Sequence, residues 1–206
     1  LEFDPVTGRS QSWHFPELAK HSIGVTGIAE GPADIFYVSS YNGLLTINKK
    51  TGKTGAIAFQ SSLPDKEQWK SINAVACIDS VVYIGGAPGL AAYDTRTGKV
   101  MTVAPGSNIR QVTINGFFTD DQKNLWIYCS AGVFRYTPLT GELAQFTSAD
   151  GIYTHTNDPS YFFSYNGYVY LGYRMAYTRF NPSLVTMNAN VPVPYITDVE
   201  IRNEPL

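Results

Sequence analysis

Eight side chains in this 206-residue chain have the types needed to grip a hydroxyl-rich ring. Tyr41, Trp69, Tyr153 and Tyr173 offer flat aromatic faces against which C–H groups pack. Asn42, Arg110, Asn157 and Arg174 offer amide and guanidinium donors for hydroxyl oxygens. The alternative for each is an ordinary solvated loop residue. Chemistry of other kinds finds little support. There is no nucleophile elbow, no His-Glu-x-x-His, no phosphate loop and no clustered Cys and His. The histidines His14, His21 and His155 do not recur at one offset, so they read as surface or loop residues. Asp120-Asp121 carries charge suited to calcium, but no EF-type spacing follows, and the pair reads as a solvated turn. No cofactor and no metal is expected.

The eight residues can meet only if the elements that carry them repeat, and they do. A turn recurs four times: Asp4-Pro5-Val6-Thr7-Gly8, Asn48-Lys49-Lys50-Thr51-Gly52, Asp94-Thr95-Arg96-Thr97-Gly98 and Thr137-Pro138-Leu139-Thr140-Gly141. Phe180-Asn181-Pro182 is a degenerate fifth copy. The glycines step by 44, 46 and 43 residues. A second marker, an aromatic in an apolar run, keeps the same period at Tyr37, Tyr83, Trp126 and Tyr170. Short strands at such a period are the signature of β-propeller blades.

The clearest blade spans residues 108–146. Residues 112–118 form an apolar inner strand "a", 120–124 a polar turn, and 125–128 strand "b". Residues 133–136 alternate as strand "c", and 143–146 form the outer strand "d". The same grammar fits residues 25–59, 72–103 and 161–187, whereas 3–16 supply the end of a "c" strand, a turn and a "d" strand. No helix longer than about two turns is expected, residues 60–72 being the least strand-like stretch. The "b"-strand aromatics read as filler between blades that pack face to face. In such an array the d–a and b–c loops share one end, and that end carries all eight candidate residues.

Composition agrees. Fourteen Tyr, 11 Phe, 18 Gly and 12 Pro suit an all-β fold. Fifteen basic against 17 acidic residues give no footprint for nucleic acid or a membrane surface. No run approaches 18 apolar residues, no signal peptide opens the chain, and Leu1 is no natural start, so it reads as a piece of something longer. Cys77 and Cys129 read as two free thiols.

The pattern Leu125-Trp126-Ile127, Gly132-Val133-Phe134-Arg135-Tyr136 and Thr140-Gly141 resembles the regulator-propeller repeat of bacterial hybrid two-component sensors. Asp150-Gly151-Ile152, Asn166-Gly167-Tyr168-Val169-Tyr170-Leu171-Gly172 and Arg179-Phe180-Asn181-Pro182 resemble the last blade of those propellers. Pro192-Val193-Pro194 and the alternating strand after it resemble the entry into the tyrosine-containing Ig-like domain that follows. The first full blade departs at Val38-Ser39-Ser40, and the last at Arg174-Met175-Ala176-Tyr177. The resemblance implies a propeller over residues 1–187, with a linker and the first Ig-like strand over 188–206. It also implies a non-catalytic periplasmic sensing module of an inner-membrane histidine kinase, answering to an oligosaccharide. Two other readings compete: a propeller enzyme of quinoprotein or polysaccharide-lyase type, and a pure interaction scaffold. The quinoprotein turn needs Trp four residues after its Gly, and position 102 is Thr. A scaffold of kelch type would repeat the Gly85-Gly86 doublet, which occurs in one blade.

Two expectations follow for the bench. Trp126→Ala should lose roughly 3–5 kcal/mol, as a large aromatic removed from a packed gap; a melting curve equal to wild type would place Trp126 outside the core. Four blades where the resemblance implies seven leave apolar faces open, so the chain should self-associate. Light scattering that finds a compact monomer at high concentration would instead indicate a small closed ring.

Overall fold

The computed structural model describes residues 2–13, 15, 24–41, 43–58, 69, 71–152, 159–173, 176–186, 200–201 and 204–205. Antiparallel hairpins run through them in chain order. β1 (Glu2–Phe3) pairs with β2 (Ser10–Gln11). The first full sheet holds β3 (Val25–Glu30), β4 (Ile35–Ser40), β5 (Gly43–Asn48) and β6 (Thr54–Ile57). The second holds β7 (Ser71–Ile78), β8 (Val81–Ala87), β9 (Gly89–Asp94) and β10 (Lys99–Thr102). The third holds β11 (Ile114–Thr119), β12 (Leu125–Cys129), β13 (Gly132–Thr137) and β14 (Glu142–Phe146). In the fourth, β15 (Pro159–Tyr165), β16 (Tyr168–Tyr173) and β17 (Tyr177–Phe180) are described. β18 (Glu200–Ile201) and β19 (Glu204–Pro205) make a last short hairpin. Each sheet has its strands in sequence order, which is the meander of a propeller blade.

Helical structure among the described residues is confined to 3-10 turns at Asn108–Gln111, Ser148–Asp150 and Pro182–Leu184. Residues 60–68 and 70, the stretch least like a strand, lie outside the described residues.

Side-chain alternation buries both faces of the inner sheets. Tyr37, Leu44, Trp69, Ile72, Val82, Ile84 and Ala91 form one core between the first and second sheets. Tyr83 joins Leu125, Ile127 and Phe134 between the second and third. Trp126 joins Tyr128, Val133, Val169 and Leu171 between the third and fourth. Tyr37, Tyr83 and Trp126 therefore fill the gaps as their spacing implied. Tyr170 differs: it is half-buried and stacks on Phe163 at 4.9 Å with 4° between the planes. Its face meets no further described sheet, and Phe163, Tyr165 and Tyr177 are exposed there.

Residues 9–15 do not join the last blade among the described residues. β2 pairs with β1, and Trp13 and Phe15 pack on Val38, Leu45 and Ile47 of the first sheet. Both cysteines are free; Cys129 is buried and burial pushes its thiol up to about 11.

One device recurs that the strand pattern hides. Every first strand carries a bulge against its partner, with the extra residue at Thr26, Asn73, Asn115 and Ser160. Two of these residues stitch neighbouring sheets together. Thr26 Oγ1 donates to the Ile72 carbonyl at 2.8 Å, and Asn73 Nδ2 donates to the Ile114 carbonyl at 2.9 Å.

The Gly85-Gly86 doublet marks close approach. A Cβ on Gly86 would lie 1.9 Å from the Ser71 carbonyl oxygen. Gly98, at φ +70°, has nothing within 4 Å of such a Cβ. Gly86→Ala should therefore cost about 3 kcal/mol or more through forced backbone shifts, against about 1 kcal/mol for Gly98→Ala from the left-handed φ. Urea denaturation of both variants checks this, and equal losses would overturn it.

Candidate functional site

Of the eight candidate side chains, the structure describes Tyr41, Trp69 and Arg110, which lie at the end formed by the b–c and d–a loops. Tyr41 is 51% exposed and lies beside Gly24. Trp69 is 5% exposed, and its ring belongs to the core between the first and second sheets. Arg110 sits half-buried in the 3-10 turn before β11. Trp69 and Arg110 do come together, around a space of about 10 Å³ shared with Pro88 and Thr102. That volume holds at most about one water. Tyr173 ends β16, and its side chain is outside the described set. Asn42, Tyr153, Asn157 and Arg174 lie outside the described residues.

The opposite end carries the a–b and c–d turns. The recurring c–d turns are backbone devices. Asp4 Oδ1 accepts the N–H groups of Val6 and Thr7, Asn48 Oδ1 those of Lys50 and Thr51, and Asp94 Oδ1 those of Arg96 and Thr97. The turn glycine N–H closes back on the first carbonyl at 2.8 Å in all four regular copies. Hydrogen bonds from Thr7 and then from the backbone hold the Asp4 carboxyl below its ordinary range.

A groove of about 290 Å³ opens at this end between the third and fourth sheets. Its first wall is the β11–β12 turn. Asp120 Oδ1 accepts from the backbone N–H of Gln122 at 3.0 Å and of Asn124 at 2.9 Å. Asp120 Oδ2 accepts from Asn124 Nδ2 at 2.9 Å and from Trp126 Nε1 at 2.8 Å. So Asp120 is not a free turn carboxylate, as its sequence suggested, but the anchor of the loop; Asp121 beside it is exposed. The second wall is the two-residue turn of Asn166 and Gly167, with φ of 48° and 74°. The third is the turn at Pro182–Leu184, capped by Asn181, whose Oδ1 accepts from Ser183 N–H at 3.0 Å and Oγ–H at 2.7 Å. Phe118, whose ring meets Phe162 at 6.0 Å, supplies aromatic surface, and Tyr165 borders the groove where β15 ends. Among the described residues no Lys or Arg lines the groove; Lys123, from the first wall, pairs with Asp79 at 2.6 Å.

This lining offers carboxylates, amides and hydroxyls beside aromatic surface, the mixture sought in the loops at the other end. The sequence hid it because Asp, Asn, Gly, Ser and Pro are also turn formers. The available signal was the polar character of equivalent a–b turns in consecutive blades.

Comparison with known proteins places the fold. The chain is similar to the extracellular domain of the hybrid two-component system BT4673 from B. thetaiotaomicron, at 20% identity and a TM-score of 0.59, over 77% of this chain and 21% of that one. It is similar to the extracellular domain of the hybrid two-component system BT3049 from the same organism, at 19% identity and 0.57, over 88% and 24%. It is also similar to PorZ, a surface component of the type-IX secretion system of Porphyromonas gingivalis, at 17% identity and 0.58, over 87% and 28%. The chain spans about a quarter of the length of these structures. Likeness at this identity establishes the β-propeller blade fold. No family model and no curated protein sequence matches the chain.

Asp120→Ala should destabilise by about 1–3 kcal/mol, since it strands the buried Trp126 N–H and the Asn124 amide. Asp121→Ala should change stability by less than about 0.5 kcal/mol. Denaturant melts of the two variants check the contrast, and equal effects would overturn the anchor role.

Proposed function

We propose that this chain belongs to the extracytoplasmic sensing region of a two-component sensor that answers to an oligosaccharide. In this reading the region lies in the periplasm, and residues 188–206 lead from the propeller into an Ig-like domain. A membrane helix and a histidine kinase complete the full-length protein, and the chain itself is not catalytic. One observation carries the reading: the row of blades follows the extracellular domains of two hybrid two-component systems along most of its length. The groove between the third and fourth sheets adds chemistry suited to a sugar ring.

A second reading, an interaction scaffold, draws on the open aromatic face of the fourth sheet and on the likeness to a secretion-system surface component. Under that reading a protein, not a sugar, is the partner, and self-association through this face is its simplest form.

A thermal-shift screen of the 206-residue chain against an oligosaccharide library separates them. At about 100 times Kd a ligand adds about 2.7 kcal/mol, which in a chain of this size raises Tm by roughly 5–10 °C. That rise is the expected result for at least one oligosaccharide. No rise with any of them, together with dimers abolished by Tyr177→Ser, would favour the scaffold. Absorbance from a bound quinone cofactor would favour an enzyme.

A further inference from the structure

We infer that the groove between the third and fourth sheets binds one neutral sugar ring and rejects acidic sugars. The inference deepens the sensor reading and rests on it for the class of ligand, but its geometry stands alone.

Size sets the first limit. Pockets for small molecules span about 300–1,000 Å³, so about 290 Å³ suits one ring at the end or branch of a chain. Preorganisation comes next. All three walls are locked from within: Asp120 holds the first by four hydrogen bonds, a two-residue left-handed turn holds the second, and the Asn181 cap holds the third. A ligand would find these groups in place, without the cost of ordering loops.

The donors and acceptors are suited to hydroxyls. The Asn181 oxygen is bonded to Ser183, which leaves its NH2 donors for a ligand. The Asp121 carboxylate and the Asn166 amide are exposed and have no partner among the described residues. Phe118, whose ring meets Phe162 across the two sheets, presents apolar surface for sugar C–H groups.

Charge sets the class. Among the described residues two carboxylates line the groove and no cation does. The nearest lysine in the wall, Lys123, is paired with Asp79 on the second sheet. A uronate or sulfate would meet like charge without a counter-ion, whereas a neutral hydroxyl donates to Asp121. A divalent cation is disfavoured as well, because both Asp120 oxygens already accept N–H donors.

NMR titration of the 206-residue chain with cellobiose, xylobiose, mannobiose and digalacturonate tests this. At least one neutral disaccharide should shift the amides of Gln122, Asn166, Gly167 and Ser183. Asp121→Ala should weaken that binding about tenfold or more with the melting temperature unchanged. Asp121→Lys should admit digalacturonate. Three results would overturn the inference. Shifts confined to Tyr41, Ala131 and Arg110 would move the site to the opposite end and leave the sensor reading intact. Digalacturonate binding to wild type as well as the neutral sugars would remove the charge argument. No shift with any of the four at about 10 mM, alongside a Tm rise with some other oligosaccharide, would sink the groove alone; no Tm rise with any oligosaccharide would sink the sensor reading with it.

Discussion

The indole of Trp126 is the contact on which the third and fourth sheets and their groove all depend. It is 1% exposed. Phe146 lies against it at 5.6 Å and Phe180 at 5.2 Å, so one ring joins two sheets. Its N–H would be costly to bury unpaired, and Asp120 accepts it. That bond fixes the loop that walls the groove. Arg135 lies 5.7 Å from the ring centre, and its guanidinium donates to the Val185 carbonyl at 3.0 Å. Val185 follows the turn that forms another groove wall. Inter-sheet packing, groove and the segment leaving the last sheet are thus mechanically one unit.

The same position in the other sheets does less. Tyr37 and Tyr83 fill their gaps but anchor no a–b turn. Burial pushes both phenols above their ordinary range, as expected for hydroxyls withdrawn from water. The bulge residues Thr26 and Asn73 supply what hydrophobic packing lacks, a fixed register between adjacent sheets. Apolar faces can slide; a side chain bonded to one particular carbonyl cannot.

Much of this was legible. Strand order, the regular turns and three of the four gap-filling aromatics follow from period and alternation. The bulges were not, because one extra residue looks like a lapse in alternation. Trp69 misled for a different reason. It stands in a polar stretch without strand pattern, yet it is buried against Ile72 and Ile84, so its neighbours in sequence say nothing of its neighbours in space. Tyr170 misled because the repeat fixes which way a side chain points, not whether another sheet arrives to cover it. Asp120 misled because an aspartate opening a turn looks alike whether it binds its own backbone or also receives an indole six residues on.

The groove lies where the repeat breaks. In three of the four regular copies the first turn residue's side chain holds the next N–H groups, and in all four a left-handed glycine closes the loop. At the fourth sheet that turn becomes Asn181-Pro182-Ser183, with no glycine. Asn181 still caps the turn, and a 3-10 turn follows at Pro182–Leu184. This altered turn stands opposite Asp120 and Asp121, and space remains between them. A period enforces what packing needs in every blade. Chemistry particular to this chain must then sit at positions the period does not dictate, and the degenerate fifth turn is such a position in contact with a polar cavity.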